Sequence, residues 1–573
     1  MSDEIYSSTR LLTSTYNSTT AYILTEHPSP LDKRPLMPTT SGSNDKGQKA
    51  GFVSLFKWSP LTDFLYPFKK AANQWVGRYI IVIFAVIIRC AVGLGSYSGE
   101  NSPPMFGDFE AQRHWMEITT SLPMSQWYFY DLQYWGLDYP PLTAYHSWFL
   151  GKIGRLIDKS WFELDASRGI EDVDLKSFMR ITSLVSELIL YIPAVIIYTR
   201  WMGRYYNKAP SIDQTIIAAA ILFLPDLTII DHGHFQYNSV MLGLALMALN
   251  NLFLDNLALA SICFTLSIGF KQMALYYAPI FFFYLLSICV FPKLNLLRLI
   301  YIAISVVCAL LVLFAPFVYV GGFAQVLQIL HRMFPFGRGI FEDKVANFWC
   351  ATNVLIKYKN IFTTEQLQKL SLFLTLVGIS PSCLAIFTNS DKRLLAWCLA
   401  SCSLAFFLFS FQVHEKSILL PWMPITLLLN EVDPDVISMV CWFCNVSLFS
   451  MTPLLKRDGL VLQYLVLGIL SNWLMGNLSW VRKYTNKILP FVANREDASP
   501  VLPHSWFWRI IIISCYVACS IVLFCDSHVA PPSSLPDLWV IANVVISFGS
   551  FSLMYMWINY KIYIIYTCKY KND

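Results

Sequence analysis

"YIIVIFAVIIRCAVGLGSYS" (79–98) is an apolar run long enough to cross a bilayer, whose hydrocarbon core of roughly 30 Å asks about 20 residues of a helix. It opens almost at once onto "GDFEAQRHWMEIT" (107–119) and "YDLQYWGLDYPPLTAY" (130–145). A membrane helix followed directly by acids, an arginine, a histidine and a crowd of tyrosines and tryptophans sets the fold class. It also marks where chemistry is to be sought.

The rest of the chain repeats the first run. With 573 residues, 55% of them hydrophobic and only 14% charged, a soluble domain of this length is excluded. Further runs lie near 179–200, 212–228, 238–253, 256–270, 273–291, 297–319, 367–388, 393–411, 417–431, 435–453, 459–476, 507–525 and 537–563. The pattern predicts an all-α polytopic membrane protein with about 14 transmembrane helices. Residues 1–51 are rich in Ser and Thr and lack an apolar core, which predicts a disordered tail rather than a signal peptide or a domain. Residues 52–78 turn aromatic and basic and suit a segment lying at the membrane surface, or an ordinary linker. The body then runs over 79–563, with a short basic tail at 564–573. The 14 cysteines sit almost entirely inside apolar runs, where a thiol acts as a small hydrophobe. "CWFC" (Cys441, Cys444) has oxidoreductase spacing but lies within a span.

Lysine and arginine gather on the cytoplasmic side of short loops. Arg200, Arg204 and Lys208, then Lys293 and Arg298, then Lys392 and Arg393, then Arg482, Lys483, Lys487 and Arg495 all fall on one side. The loops between carry only Lys271 and Lys416, apart from Lys456 and Arg457 at 454–458, which break the rule. An even number of spans leaves both termini in the cytoplasm, with long lumenal loops at 99–178 and 320–366. The terminal "KYKND" has Lys569 and Lys571 spaced as in a dilysine retrieval signal read by a receptor in the endoplasmic reticulum, or forms a basic stop for the last helix.

The polar stretches converge on the face opposite the basic loops: the 107–145 region, "DHGHFQYN" (231–238), "FKQM" (270–273), "HRMFPFGRGIFEDKVANFW" (331–349) and "FQVHEK" (411–416). One lumenal site follows, since a transporter more often carries its ionisable groups near the bilayer midplane. Asp108 precedes a segment with Ala111, Trp115 and Ile118 on one face and Arg113, His114 and Glu117 toward the other, an amphipathic helix lying on the membrane. Asp108 then reads equally as the helix cap or as a functional acid. Asp138, before "YPP", sits in extended chain and reads as a turn residue or a displayed acid. Trp127, Tyr128, Tyr130, Tyr134, Trp135 and Tyr139 suit an interfacial belt, and some of them suit stacking on sugars. Asp231, His232 and His234 have a spacing that suggests a metal, yet no further cluster completes a familiar ligand set. His414, held near the bilayer surface, is placed to meet an anionic lipid head group, or simply ends a helix. Arg332 and Arg338 suit phosphate recognition through their planar forks, or interfacial snorkelling.

These stretches together, with "WYFYDLQYWGLDYPPLTAYHSW", "IDHGHFQYNSVMLGL", "FPFGRGIFEDKVANFWC" and "FSFQVHEKSILLP", resemble the dolichyl-phosphate-glucose-dependent glucosyltransferases of N-glycan precursor assembly. The likeness runs in order from about Trp58 to the C-terminal spans. "EAQRHW" is similar to members adding the first glucose, through an α-1,3 bond, to the lipid-linked nine-mannose oligosaccharide; those adding the second tend to read "HRNW".

The resemblance implies the membrane glycosyltransferase fold called GT-C, in the endoplasmic reticulum membrane with its site facing the lumen. It implies Asp108 as catalytic base, Asp138 as a second acid, and His414 near the donor phosphate, with Arg332 and Arg338 as further phosphate candidates. Glu110, Arg113 and Lys271 become candidate substrate contacts. So do Asp231, His232, His234 and Gln236, and Glu342 and Asp343 of the second long loop. The implied substrates are dolichyl phosphate glucose and a dolichyl-diphosphate oligosaccharide, with no nucleic acid partner and no metal or other cofactor.

The chemistry fits these residue types. A β-linked donor giving an α-linked product is inverted in one displacement, so one base suffices. A sugar hydroxyl gains from proton removal in the transition state, positive charge grows on the transferred ring, and the departing lipid phosphate needs only cationic stabilisation. A lipid or sugar-phosphate transporter and a non-catalytic scaffold remain the alternatives of other classes.

Overall fold

In lipid every backbone N–H and C=O has to find its partner within its own segment, so apolar runs of this kind fold as helices. The computed structural model describes residues 59–70, 75–207, 209–334, 344–431, 433–478 and 502–570, and among these it is helical with no strand. Each apolar run coincides with a helix. The first run falls in Val76–Gly93, the sixth in Gln272–Val290, and the last in Leu538–Cys568.

The helices are not equally long. Among the described residues seven are long and apolar enough to cross a membrane, or eight if the bent pair Ser211–Leu222 and Pro225–Phe235 counts as one. Asn238–Phe253 and Leu257–Phe270, with 16 and 14 residues, reach only about 24 and 21 Å at 1.5 Å per residue. The run at 417–431 holds a nine-residue helix, Leu419–Leu427, with Pro424 inside it. Length and composition therefore support half of the 14 expected spans. Asn238–Phe253 is buried along almost its whole length. Its partner is other helices, so nothing ties its length to the thickness of the hydrocarbon.

A buried ion cluster ties several of these helices together. Glu187 accepts two hydrogen bonds from Arg89, both at 2.7 Å, and a third contact from His232 Nε2 at 2.6 Å. Arg89 also donates to the carbonyls of Ala85 and Leu222. This joins the first span to Val173–Ile189 and to the wide turn at Ile230–Phe235.

The first long loop is folded. Asp108–Ser121 and Pro141–Ile157 pack against one another, and residues Phe109–Thr120 are all buried. The expected surface helix is thus an enclosed one. Its polar face is covered because Arg113 pairs with Glu110 at 2.6 Å and Glu117 at 2.7 Å, and donates to Ser167 Oγ and the Trp161 carbonyl. The second long loop begins where the chain breaks at Gly322, whose φ of 65° lets the helical run Leu296–Met333 turn. The N-terminal tail, part of the interfacial segment and Lys571 lie outside the described residues.

Candidate active site

One cavity of about 1140 Å³ opens beside the end of the first span. Asp108 stands at its centre. Gly107, in extended conformation, holds the cap position of Asp108–Ser121, so Asp108 begins the helix without serving as its cap. A Cβ at Gly107 would stand 2.5 Å from Ser98, and this close approach, with the Asp108 N–H donating to Ser98 Oγ at 3.3 Å, holds the helix start against the first span.

The carboxylate is turned into the cavity, its side chain 22% exposed. Its Oδ2 faces His234 Nε2 at 2.9 Å and accepts from Gln236 Nε2 and Lys416 Nζ. His234 Nδ1 faces Asp458 Oδ2 at 2.5 Å, so one imidazole bridges two carboxylates. Burial pushes the Asp108 carboxyl up, but the Lys416 ammonium and His234 more than reverse this and hold it well below the usual carboxylate range. Gln236 is held in turn by Lys271 Nζ, which donates to Gln236 Oε1 at 3.0 Å and Asn238 Oδ1 at 2.8 Å. Burial, helped by Lys416, brings Lys271 down to about 8.

The cavity is also lined by Asp138, Tyr139, Arg332 and His414. Arg332 donates to the carbonyls of Gly136 at 3.0 Å and Leu137 at 3.2 Å, and so fixes the turn that displays Asp138. His414 precedes a short turn in which its N–H donates to Ser417 Oγ.

Asp108, Asp138, His234, Gln236, Lys271, Arg332 and His414 therefore meet around one space. Glu110 and Arg113 do not line it; their charges are consumed by the interior cluster that ties Asp108–Ser121 to the loop beyond it. Asp231 and His232 are also turned inward. Asp231 accepts from the Asn238 and Ser239 N–H groups and from Asn238 Nδ2, which secures the start of the next helix, and His232 belongs to the Glu187 cluster. The two histidines thus have separate partners, and no cluster of three metal-type ligands occurs among the described residues. Arg338, Glu342 and Asp343 lie outside the described residues.

Lys416, Arg457 and Asp458 line the cavity and were missed as site residues. Their signal was in the charge pattern. Lys271, Lys416 and the 454–458 segment were the basic residues on the charge-poor face. Lys271, Lys416 and Arg457 border the cavity, while Lys456 pairs with Asp526 at 2.8 Å.

Known proteins of the same kind were found by sequence. The model of the ALG6, ALG8 glycosyltransferase family matches residues 85–557. The dolichyl pyrophosphate Man9GlcNAc2 alpha-1,3-glucosyltransferase of Saccharomyces cerevisiae is 54% identical over 519 residues, covering 89% of this chain and 95% of that protein. The probable enzyme of that name from Schizosaccharomyces pombe is 44% identical over 87% of this chain and 94% of its own length. The Gallus gallus enzyme is 41% identical over 87% and 98%. With a family match over most of its length and relatives this similar, the chain belongs to the ALG6, ALG8 glycosyltransferase family.

Proposed function

We propose that this chain is an inverting glucosyltransferase that moves glucose from dolichyl phosphate glucose to the terminal mannose of the lipid-linked nine-mannose oligosaccharide, through an α-1,3 bond. The observation that carries the reading is a carboxylate, Asp108, aimed into a large cavity and held ionised by Lys416 and His234. The names of its relatives support the acceptor and the linkage. Asp108 takes the proton of the attacking mannose hydroxyl, while Lys416 and Arg457 supply positive charge, and His414 a hydrogen bond, for the departing lipid phosphate. A carboxylate held this low is a weak base. It suffices because the hydroxyl turns strongly acidic as its oxygen bonds to the anomeric carbon, so the proton leaves late. Asp138, on the turn fixed by Arg332, orients the acceptor. The fold is the GT-C fold with 14 spans, in the endoplasmic reticulum membrane. Its site is lumenal, and Lys569 and Lys571 are read by a retrieval receptor.

Purified full-length protein in detergent, given dolichyl phosphate glucose, should glucosylate the nine-mannose acceptor and leave the monoglucosylated one untouched. Transfer only to the monoglucosylated acceptor would make it the second-glucose enzyme. Transfer to neither would leave the transporter reading, because detergent removes the compartments that a transporter needs.

Orientation has its own test. Glycosylation acceptor sites engineered near residues 125 and 355 should be modified, and sites near 205 and 390 should not. Modification at 205 would reverse the orientation.

A further inference from the structure

A second cavity, of about 260 Å³, lies at the other end of the same helices and is lined by Arg78, Arg200, Arg204, Ser211 and Gln214. Arg78 begins the first span, whose far end leads into the active-site cavity, about 27 Å away for an 18-residue helix. Ser211 begins the helix Ser211–Leu222, so the helix presents its positive end to the same space.

Three guanidinium groups line this cavity and no acid does, whereas other arginines of the protein are paired. Arg89 pairs with Glu187, Arg113 with Glu110 and Glu117, Arg168 with Asp131 and Asp165, and Arg393 with Asp391. None of the three arginines of this cavity forms an ion pair among the described residues. Arg78 is only 3% exposed, and its Nη2 donates to Ser211 Oγ at 3.2 Å and Gln214 Oε1 at 3.4 Å. Its Nη1 is buried with no partner among the described residues. A buried, unpartnered guanidinium N–H costs free energy that an anion in the cavity would recover. Arg78 and Arg200 also stand over the ring of Trp75, at 4.5 and 5.3 Å, which fixes their spacing.

We propose that this cavity binds the phosphate of an anionic membrane lipid, on the face opposite the catalytic site. The phosphate sits among Arg78 Nη1, Arg200 and Arg204, with Ser211 Oγ as a further polar contact. The acyl chains have a place beside it. Tyr79, Ile83 and Ile87 follow one another at every fourth position of the first span and are 59%, 56% and 55% exposed. The free phosphate of a soluble molecule shares the headgroup's chemistry but has no use for that apolar strip.

The test uses the full-length protein and two sources of phosphate. Native mass spectrometry counts lipid retained from micelles containing phosphatidylinositol or phosphatidylcholine, and thermal unfolding is followed with the same lipids and with inorganic phosphate. Phosphatidylinositol should be retained over phosphatidylcholine and should raise Tm. Because Arg78 is buried and its replacement can disturb folding, the deciding variant is Arg200→Gln with Arg204→Gln at the cavity's more open side. Each lost charge-assisted contact should weaken retention about tenfold, bringing the anionic lipid down to the level of phosphatidylcholine while glucosyl transfer stays at the parent rate. A Tm rise with inorganic phosphate as large as with the lipid would support the phosphate site but assign it a soluble ligand. No preference for either phosphate source, or equal retention by the parent and the double variant, would overturn the proposal.

Discussion

Asp108→Asn is expected to lower glucosyl transfer by about a hundred- to ten-thousandfold, the span that general-base catalysis contributes, while the protein purifies and melts close to the parent. The substitution keeps the size and planarity of the side chain. It costs the helix nothing as a cap, since Gly107 occupies that position. The asparagine oxygen still accepts from Gln236 or Lys416, so the wall of the cavity keeps its shape. What disappears is the lone pair that takes the proton and the negative charge that balances Lys416. Donor binding, read as retention of dolichyl phosphate glucose, should change little or tighten, because Lys416 is freer to meet the donor phosphate. Asp138→Asn is the control. That residue borders the same cavity on a turn held by Arg332, and its replacement should disturb acceptor use, seen mainly in KM. An Asp108→Asn enzyme working within a few-fold of the parent would move the base to Asp138.

The sequence told much of this because the membrane makes charge conspicuous. In a chain with so few ionisable groups, the stretches at 107–145, 231–238, 270–273 and 411–416 stood out, and each sends at least one side chain into the cavity. Which side chain was harder to see. "DHGHFQYN" forms a wide turn ending at Phe235, and Gln236 then takes an extended conformation. His234 and Gln236 thereby face the cavity while Asp231 and His232 face the interior. Neither the period of a helix nor that of a strand yields that division. Glu110 and Arg113 lie away from the cavity for another reason. Arg113's partners Trp161 and Ser167 are far along the chain, Glu110 is held by Arg113 and Tyr134, and only folding shows that a charged face is covered. The span count cannot be read from the sequence alone, because an apolar run of 15 residues looks alike whether lipid or protein surrounds it. Lys416 and Arg457 were in plain view as basic residues on the charge-poor face, and both border the cavity.

Lys416→Met carries the second large effect, and its pH dependence separates two roles. The ammonium is the cation nearest the base: it pairs with Asp108 Oδ2 and stands 3.0 Å from His234 Nε2. Losing one preorganised electrostatic donor at a site of this kind costs about a hundred- to a thousandfold in rate, and transfer by Lys416→Met should fall by that much at neutral pH. The base works only when ionised. In the parent, Asp108 is held well below the usual carboxylate range, so kcat/KM should stay level as pH falls toward about 4, the ordinary carboxylate value. With Lys416 gone, burial is opposed only by the contacts with His234 and Gln236, the carboxyl rises, and the acidic limb of kcat/KM should move to higher pH. Lys416→Arg keeps the charge and should keep the limb where the parent has it, even if the bulkier fork slows the reaction. If Lys416→Met is slow but its acidic limb coincides with the parent's, the lysine serves the departing phosphate alone, and the low carboxyl of Asp108 has to come from its contact with His234, which Asp458 holds in place.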